Sequence, residues 1–368
     1  MGNIEMGFDL HMDLVQLLSP SGEISKAASK SAKDIERLVR FYRAMTRTRI
    51  FDNKAISLQR TGQLGTFASA LGQEAIGVGA AAAMEERDVL VPSYRDHAAQ
   101  FYRGMAMSEC LLYWGGDERG SDFAGPRRDF PTCITIASQC LHAVGVAYAI
   151  KLRKQPRVAV CMSGDGATSK GDFYESINAA GVWQLPVVFA VTNNQWAISV
   201  PRKTQSAAQT LAQKAVAAGI EGVQVDGNDV IAVHHVMREA LAKARTGGGP
   251  TLVEAVTYRL SDHTTADDAT RYRPPEEVAE AWKHEPILRL RNYLSVSKAW
   301  NKAQEEDLLK HCNEQVQAAA QTYLDTPPPP VEQMFDHLYA TLPAAYAAQR
   351  AAILASSQEV HNGPDHAG

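Results

Sequence analysis

No stretch of this 368-residue sequence approaches the roughly 20 consecutive apolar residues that a membrane-spanning helix needs. Its start, MGNIEMGFDLHMDLVQLLSPSG, lacks the basic segment that opens a secretory signal. Those two absences predict a cytoplasmic protein with no membrane attachment. The cysteines Cys110, Cys133, Cys140, Cys161 and Cys312 are odd in number, scattered and free of any C-x-x-C pair, which argues against a disulfide framework and a thiolate zinc site. The expectation is reduced, mostly buried thiols. Neither sign of charge dominates: 37 Lys and Arg against 41 Asp and Glu leave a formal net charge of -4, so a sequence-blind grip on nucleic acid or an anionic membrane is not expected. There is no internal repeat, and no H-E-x-x-H or comparable metal spacing among the histidines.

What is there has globular composition, 45% hydrophobic and 21% charged, and a length that suits one large α/β domain with attachments or two modest domains. Residues 1–32 show no clear period and read as an extension lying on something else. Apolar positions at helical spacing predict one long helix or two over Ala32–Arg60, stopped by Gly62 and Gly65. An Ala-rich helix over Gln73–Met84 precedes a short strand, Val89–Pro92, with Tyr94 and Arg95 just past it. Residues 116–131 form a long polar loop of the kind that is usually functional or mobile. After a helix at Ser138–Lys151 the pattern becomes strictly α/β: strands Arg157–Met162, Val187–Val191, Val223–Val225 and Thr251–Thr257 alternate with helices Asp172–Trp183, Thr210–Ala218 and Asp229–Arg245. Short apolar strands without alternation, separated by helices, predict a doubly wound parallel sheet covered on both faces. Asn228-Asp229 reads as a helix cap. Beyond Tyr272 the chain turns helical and polar, with a helix at Glu305–Leu324, a stiff Pro327–Pro330 break and a last helical stretch before the tail. The expected division is an extension at 1–32, an α/β domain at 33–290 and a helical region at 291–368.

The most informative segment is SGDGATSKGDFYESINAAGVWQLPVVFAVTNN, in which Gly164-Asp165-Gly166 follows one strand and Asn193-Asn194 the next. In a doubly wound sheet, ligands bind beyond the carboxyl ends of the strands, so the two loops would lie side by side. A carboxylate and a carboxamide then face one space, and both offer oxygen to a hard cation such as Mg²⁺. Gly164 and Gly166 let the backbone approach a phosphate, and the helix from about Gly171 would turn its N-terminus to the anion. The reading is a metal-bridged diphosphate. A Walker A loop is excluded, because Lys170 is followed by Gly171 and Asp172 rather than Ser or Thr, and the glycines do not fit G-x-G-x-x-G.

G-D-G followed one strand later by N-N resembles the thiamine diphosphate motif. Together with Tyr94-Arg95, LGQEAIGVG, NNQWAIS, VQVDGNDVIAV and YRLSDHTTADDATRYR, it resembles the α subunit of the E1 component of 2-oxo acid dehydrogenase complexes over roughly residues 35–345. That resemblance implies a transketolase-like thiamine diphosphate-binding fold with helical N- and C-terminal attachments. It implies thiamine diphosphate and Mg²⁺ as cofactors, the metal held by Asp165, Asn194 and the carbonyl of Trp196. Gly164, Gly166 and Ala167 would line the diphosphate, and Tyr94, Arg95, Ile136 and Arg259 would bind the cofactor, the two arginines through a bidentate grip on phosphate oxygens. His263 takes the place of the family's active-site His, and among Asp262, Asp267 and Asp268 its imidazole is expected to titrate near neutrality and pass a proton. Thr264 stands where mitochondrial members carry a phosphorylatable Ser. Phe67 is a candidate for the substrate pocket or for the core.

The family supplies the Glu that activates the cofactor from a separate β subunit, and a single-chain enzyme would need a further pyrimidine-binding domain of roughly 150–200 residues. The resemblance therefore implies half an enzyme, an α₂β₂ heterotetramer that decarboxylates a small 2-oxo acid oxidatively and passes the acyl group to a lipoyl group on E2. Pyruvate is the first substrate expectation, with branched-chain 2-oxo acid and acetoin dehydrogenases as alternatives. Two other classes stay open. An NAD-dependent oxidoreductase is disfavoured, because the expected acidic residue would fall near Leu185–Pro186; a catalytically silent binding subunit is disfavoured by the intact Asp165, Asn194, Arg259 and His263 set.

Overall fold

The sheet that the strand pattern predicts is present, parallel throughout and six-stranded. The structure is a computed structural model that describes residues 12–26, 33–336 and 338–362. Parts of the expected extension, 1–11 and 27–32, and the tail 363–368 lie outside the described residues. The strands are β1 (Leu14–Val15), β2 (Val89–Val91), β3 (Ala159–Gly164), β4 (Val187–Asn193), β7 (Glu221–Asp226) and β8 (Thr251–Val256), in the order β1-β7-β8-β4-β3-β2. A small antiparallel hairpin joins β5 (Trp196–Ala197) to β6 (Val200–Pro201). Register brings the carboxyl ends level: Gly164 lies opposite Thr192, and Asn193 and Asp226 both lie opposite Val256.

Strands β2, β3, β4 and β8 are buried on both faces, which is why they read as largely apolar runs, while β7 and β1 toward the edge are only partly buried. Val160, Met162, Val188, Ala190, Val253 and Ala255 point to one core, against α1 (Ile35–Arg60), α2 (Glu74–Ala83) and α9 (Val230–Arg245). Their alternate neighbours Ala159, Cys161, Val187, Phe189 and Leu252 point to the other, against α5 (Ser138–Leu152) and α6 (Gly171–Val182). The Ala-rich composition of α2 serves close approach: a Cβ at Gly79 would stand 2.8 Å from Val233 on α9, and one at Gly77 2.7 Å from Ala98. Asp229 caps α9 by accepting from the N–H groups of Ile231 and Ala232.

Residues 35–60 form one helix, uninterrupted by Gly or Pro. The helix expected over Thr210–Ala218 shrinks to α8 (Lys214–Ala217), beyond the short α7 (Arg202–Gln205). The segment winds instead through i→i+3 turns, such as Lys214 to Leu211 and Ala215 to Ala212, while the buried Glu254 carboxylate takes the Ala212 N–H at 2.9 Å. Helices α3 (His97–Arg103) and α4 (Met107–Trp114) were not foreseen, whereas α10 (Pro275–Trp282) and α11 (Pro286–Val296) fall in the stretch beyond Tyr272 that was expected to turn helical. Helix α12 (Lys302–Leu324) follows, and the chain divides into two units at its end, Met1–Tyr323 and Leu324–Gly368. The second unit holds α13 (Gln333–Asp336) and α14 (Ala347–Asn362), with Tyr339 against Tyr346 at 5.7 Å between ring centroids. Among the described residues, no helix is long and apolar enough to cross a membrane. All five cysteines are free, and all but the half-buried Cys133 are buried.

Candidate active site

A cavity of about 1120 Å³ opens at the carboxyl ends of β3 and β4. Its wall contains Tyr94, Arg95, Ile136, Gly164, Asp165, Gly166, Ala167, Asn194, Trp196 and His263, that is, every site residue predicted from sequence except Arg259. The polar loop contributes Gly116, Asp117, Glu118 and Ser121. Phe67 is not in the wall; it is fully buried against Phe51, His97 and Trp114.

The strand ends place each group. Beyond Gly164 the chain makes a 3-10 turn, Asp165–Ser169, before α6 begins. This turn borders the cavity through Asp165, Gly166 and Ala167, and Lys170 and Gly171 at the start of α6 are not in its wall. A Cβ on Gly164 would meet nothing within 4 Å, while one on Gly166 would stand 2.7 Å from the Cβ of Ala197. Gly164 leaves room in the cavity; Gly166 lets the hairpin close over the turn. The two asparagines part company. Asn193 turns away and donates to Glu254 at 2.6 Å, while Asn194 lines the cavity and its Oδ1 accepts from Trp196 N at 3.1 Å. The ladder continues past the strand ends, Thr257 N donating to Asn193 O and Arg259 N to Asn194 O, which sets Arg259 beside the asparagine loop.

Arg259 is fully buried and stands behind the wall. It donates to the carbonyls of Trp196 (3.4 Å), Ile198 (2.9 Å) and Ser261 (3.3 Å) and to Tyr272 Oη (2.8 Å), bracing the β5–β6 hairpin rather than reaching into the cavity. Arg95 donates to Ser69 O at 2.5 Å and His263 O at 2.8 Å. Both guanidiniums also lie against His263 Nδ1, at 3.3 and 3.5 Å. Arginine can only donate, so Nδ1 accepts and the hydrogen of the neutral ring sits on Nε2.

These cations overturn the expectation that His263 titrates near neutrality. Burial first, then Arg95 and Arg259, pull its pKa down to about 4, against a smaller opposing pull from Asp267. The loop acids serve the loop: Asp262 accepts from Ala269 N, Asp267 from His263 N and Tyr272 Oη, and Asp268 from Thr270. Burial raises the carboxyl of Asp165, opposed by a hydrogen bond from Gln205 at 3.2 Å and by Arg259. Burial and the like charge of Arg95 lower Arg259.

Backbone strain marks the same place. Of the six non-Gly residues with positive φ among the described residues, Lys154, Gln184 and Lys298 follow helix C-termini, where the left-handed conformation is routine. Ala137, Gln195 and Ile198 have no such excuse; Ile198 lines the cavity, and the other two adjoin Ile136 and Trp196 in its wall. Sequence reading missed Gln205, Asp96 and Gln139. Asp96, raised by burial to about 6, lines the cavity beside Arg95; Gln139 donates to Met162 O at 3.1 Å and keeps a buried Oε1 with no partner among the described residues. A search for polar residues flanking the quoted motifs would have reached Asp96, but nothing in sequence brings Gln205 to Asp165.

Residues 42–332 match the family described as Dehydrogenase E1 component, a span that holds every cavity residue named here. The chain belongs to that family. Among its relatives, the pyruvate dehydrogenase E1 component subunit alpha of Mycoplasma genitalium is 40% identical over 329 residues, covering 89% of this chain and 92% of the relative. The subunits of the same name from Mycoplasma pneumoniae and Staphylococcus aureus are 39% and 38% identical over 338 residues, 92% of this chain and 94% and 91% of theirs. Members of the dehydrogenase E1 component family depend on thiamine diphosphate, and an α subunit of the family pairs with a β subunit.

The cavity fits such a cofactor. Arg95 and Arg259 are buried cations whose hydrogen bonds go to carbonyls, a hydroxyl and an imidazole, with no carboxylate partner among the described residues. A diphosphate supplies the missing negative charge. Among the described residues, no cluster of three or more His, Cys, Asp or Glu could hold a metal. A cation here would rest on one carboxylate with amide and carbonyl oxygens, which suits Mg²⁺ sharing its shell with phosphate and water.

Proposed function

We propose that this chain is the α subunit of a pyruvate dehydrogenase E1 component, working in the cytoplasm with a β subunit as an α₂β₂ heterotetramer and passing acetyl groups to a lipoyl-bearing E2. The observation that carries the reading is the convergence of Asp165, Asn194, Trp196 and the buried Arg95 on one cavity at the strand ends, with the buried Arg259 standing behind its wall. Asp165, Asn194 and the Trp196 carbonyl would hold Mg²⁺. The turn at Gly164, Gly166 and Ala167 and the Arg95 guanidinium would hold the diphosphate, with Tyr94 and Ile136 lining the rest. Arg259 would act through the field of its charge and by bracing the hairpin. Thiamine diphosphate supplies the nucleophilic carbon and electron sink that decarboxylation of a 2-oxo acid requires.

His263 would meet substrate as a neutral ring offering Nε2–H, because the two arginines occupy Nδ1 and disfavour a second proton. A neutral imidazole can donate to an oxygen or sulfur acceptor and shield a proton from loss to water. A folded partner is supported by Ile134, Ile136 and Ile198, which line the cavity yet are 54, 40 and 56% exposed, apolar surface that such a partner would cover.

Calorimetric titration of thiamine diphosphate in the presence and absence of Mg²⁺ tests the site. Asp165→Ala is expected to abolish the metal-dependent component of binding; retained metal dependence would refute the assignment.

A further inference from the structure

Gln73 opens the Gln-Glu-Ala motif and stands at the N-cap of α2, a position where a short side chain normally takes the first free N–H groups. Its own side chain makes no capping bond. It reaches across the fold to Asn194, whose Nδ2 donates to Gln73 Oε1 at 3.0 Å. Both residues are buried, 5 and 6% exposed.

The two ends of a carboxamide have nearly the same shape, so the partners decide which end faces where. Two partners set the Asn194 amide together: Trp196 N–H donates to Oδ1 at 3.1 Å, and Gln73 Oε1 takes Nδ2 on the other side. Offering its oxygen to Asn194 leaves Gln73 with a buried Nε2 that has no partner among the described residues, so this orientation is not explained by hydrogen bonds of its NH₂ group. Gln73 is held firmly from behind. Gly72, at φ +87°, donates to Glu74 Oε2 at 2.9 Å and accepts from Thr257 Oγ1 at 2.9 Å, and Glu74 Oε1 takes Arg49 Nε at 2.8 Å.

We infer that Gln73 is a positioning residue: it fixes the Asn194 carboxamide so that the oxygen, not the NH₂ group, is offered with Asp165 to a divalent cation. The inference rests on the proposed role of Asn194. Without the Gln73 oxygen, Nδ2 loses its one side-chain partner among the described residues, and rotation of the amide would turn a donor toward the cation.

The test is Mn²⁺ affinity, read by electron paramagnetic resonance with thiamine diphosphate present, on the full chain co-purified with its β partner. Gln73→Met is expected to weaken Mn²⁺ binding about tenfold or more, and Gln73→Glu, which keeps an acceptor for Nδ2, to restore it. Unchanged affinity in Gln73→Met, or an equal loss in Gln73→Glu, would overturn the inference. Asp165→Ala separates the two layers, since unchanged affinity there sinks the metal reading itself and the inference with it. If Gln73→Met does not fold, asparagine-labelled wild-type chain decides by NMR: one slowly exchanging Asn194 side-chain proton supports the inference, and two fast ones overturn it.

Discussion

At the residue scale, His263 shows how far a local reading can mislead. Asp262, Asp267 and Asp268 surround it in sequence, yet the groups against its ring are Arg95 and Arg259, and Arg95 lies 168 residues away. Removing that cation should let the imidazole regain protons. Arg95→Gln is expected to raise the His263 pKa from about 4 toward its ordinary value, followed by NMR titration; an unmoved pKa would show that Arg95 has no part in setting it. The sign for stability follows. His263 and His234 are both lowered to about 4 from 6.5, so the unfolded chain binds more protons between those values. Their contribution is complete above about pH 6.5 and is lost as pH falls toward 4. Chemical denaturation across that window should show stability falling with acid, and the fall should be smaller in His234→Gln. Motif residues were otherwise legible: Asp165 and Asn194 reach the cavity as their place beyond the strands predicts, and Tyr94 and Arg95 as the family resemblance implies. Illegible were the groups that serve them from afar, such as Gln205 on Asp165, because a single long-range contact leaves no period or spacing to read.

At the scale of elements, strands and long helices were legible because burial on both faces writes continuous apolar runs and the helical period is long enough to see. What escaped was short or held by tertiary bonds. Strand β1 has two residues and no pattern of its own; it exists because it pairs with β7, Leu14 opposite Gln224, and because Asp229 Oδ2 takes the N–H groups of Leu17 and Leu18 at 2.7 and 2.6 Å. Asp229 was foreseen as a cap; its second oxygen's hold on the N-terminal segment was not. Asp229→Ala is therefore expected to cost about 2–4 kcal/mol, the lost cap plus two orphaned donors, by urea denaturation. Hydrogen exchange at Leu17 and Leu18 should accelerate with it. Unchanged protection there would mean the segment is held by β-pairing alone.

At the scale of the whole molecule, the question is what a cavity with buried, unpaired cations and an exposed apolar rim is waiting for. The cations ask for an anion such as a diphosphate, and Ile134, Ile136 and Ile198 at the rim are apolar surface that a folded partner would cover. Family membership and 38–40% identity to pyruvate dehydrogenase E1 α subunits along about nine-tenths of the chain give both demands one answer. The central claim is that this chain carries half of a pyruvate-decarboxylating site. Its most direct test is the rate of pyruvate-driven acetylation of a lipoyl domain, measured for the isolated chain and for the chain co-expressed with its β subunit, with thiamine diphosphate and Mg²⁺ supplied to both. The expected result is no turnover by the chain alone and turnover by the pair, faster with pyruvate than with 3-methyl-2-oxobutanoate or acetoin. Sustained turnover by the isolated chain, or a pair that ignores pyruvate, would contradict it.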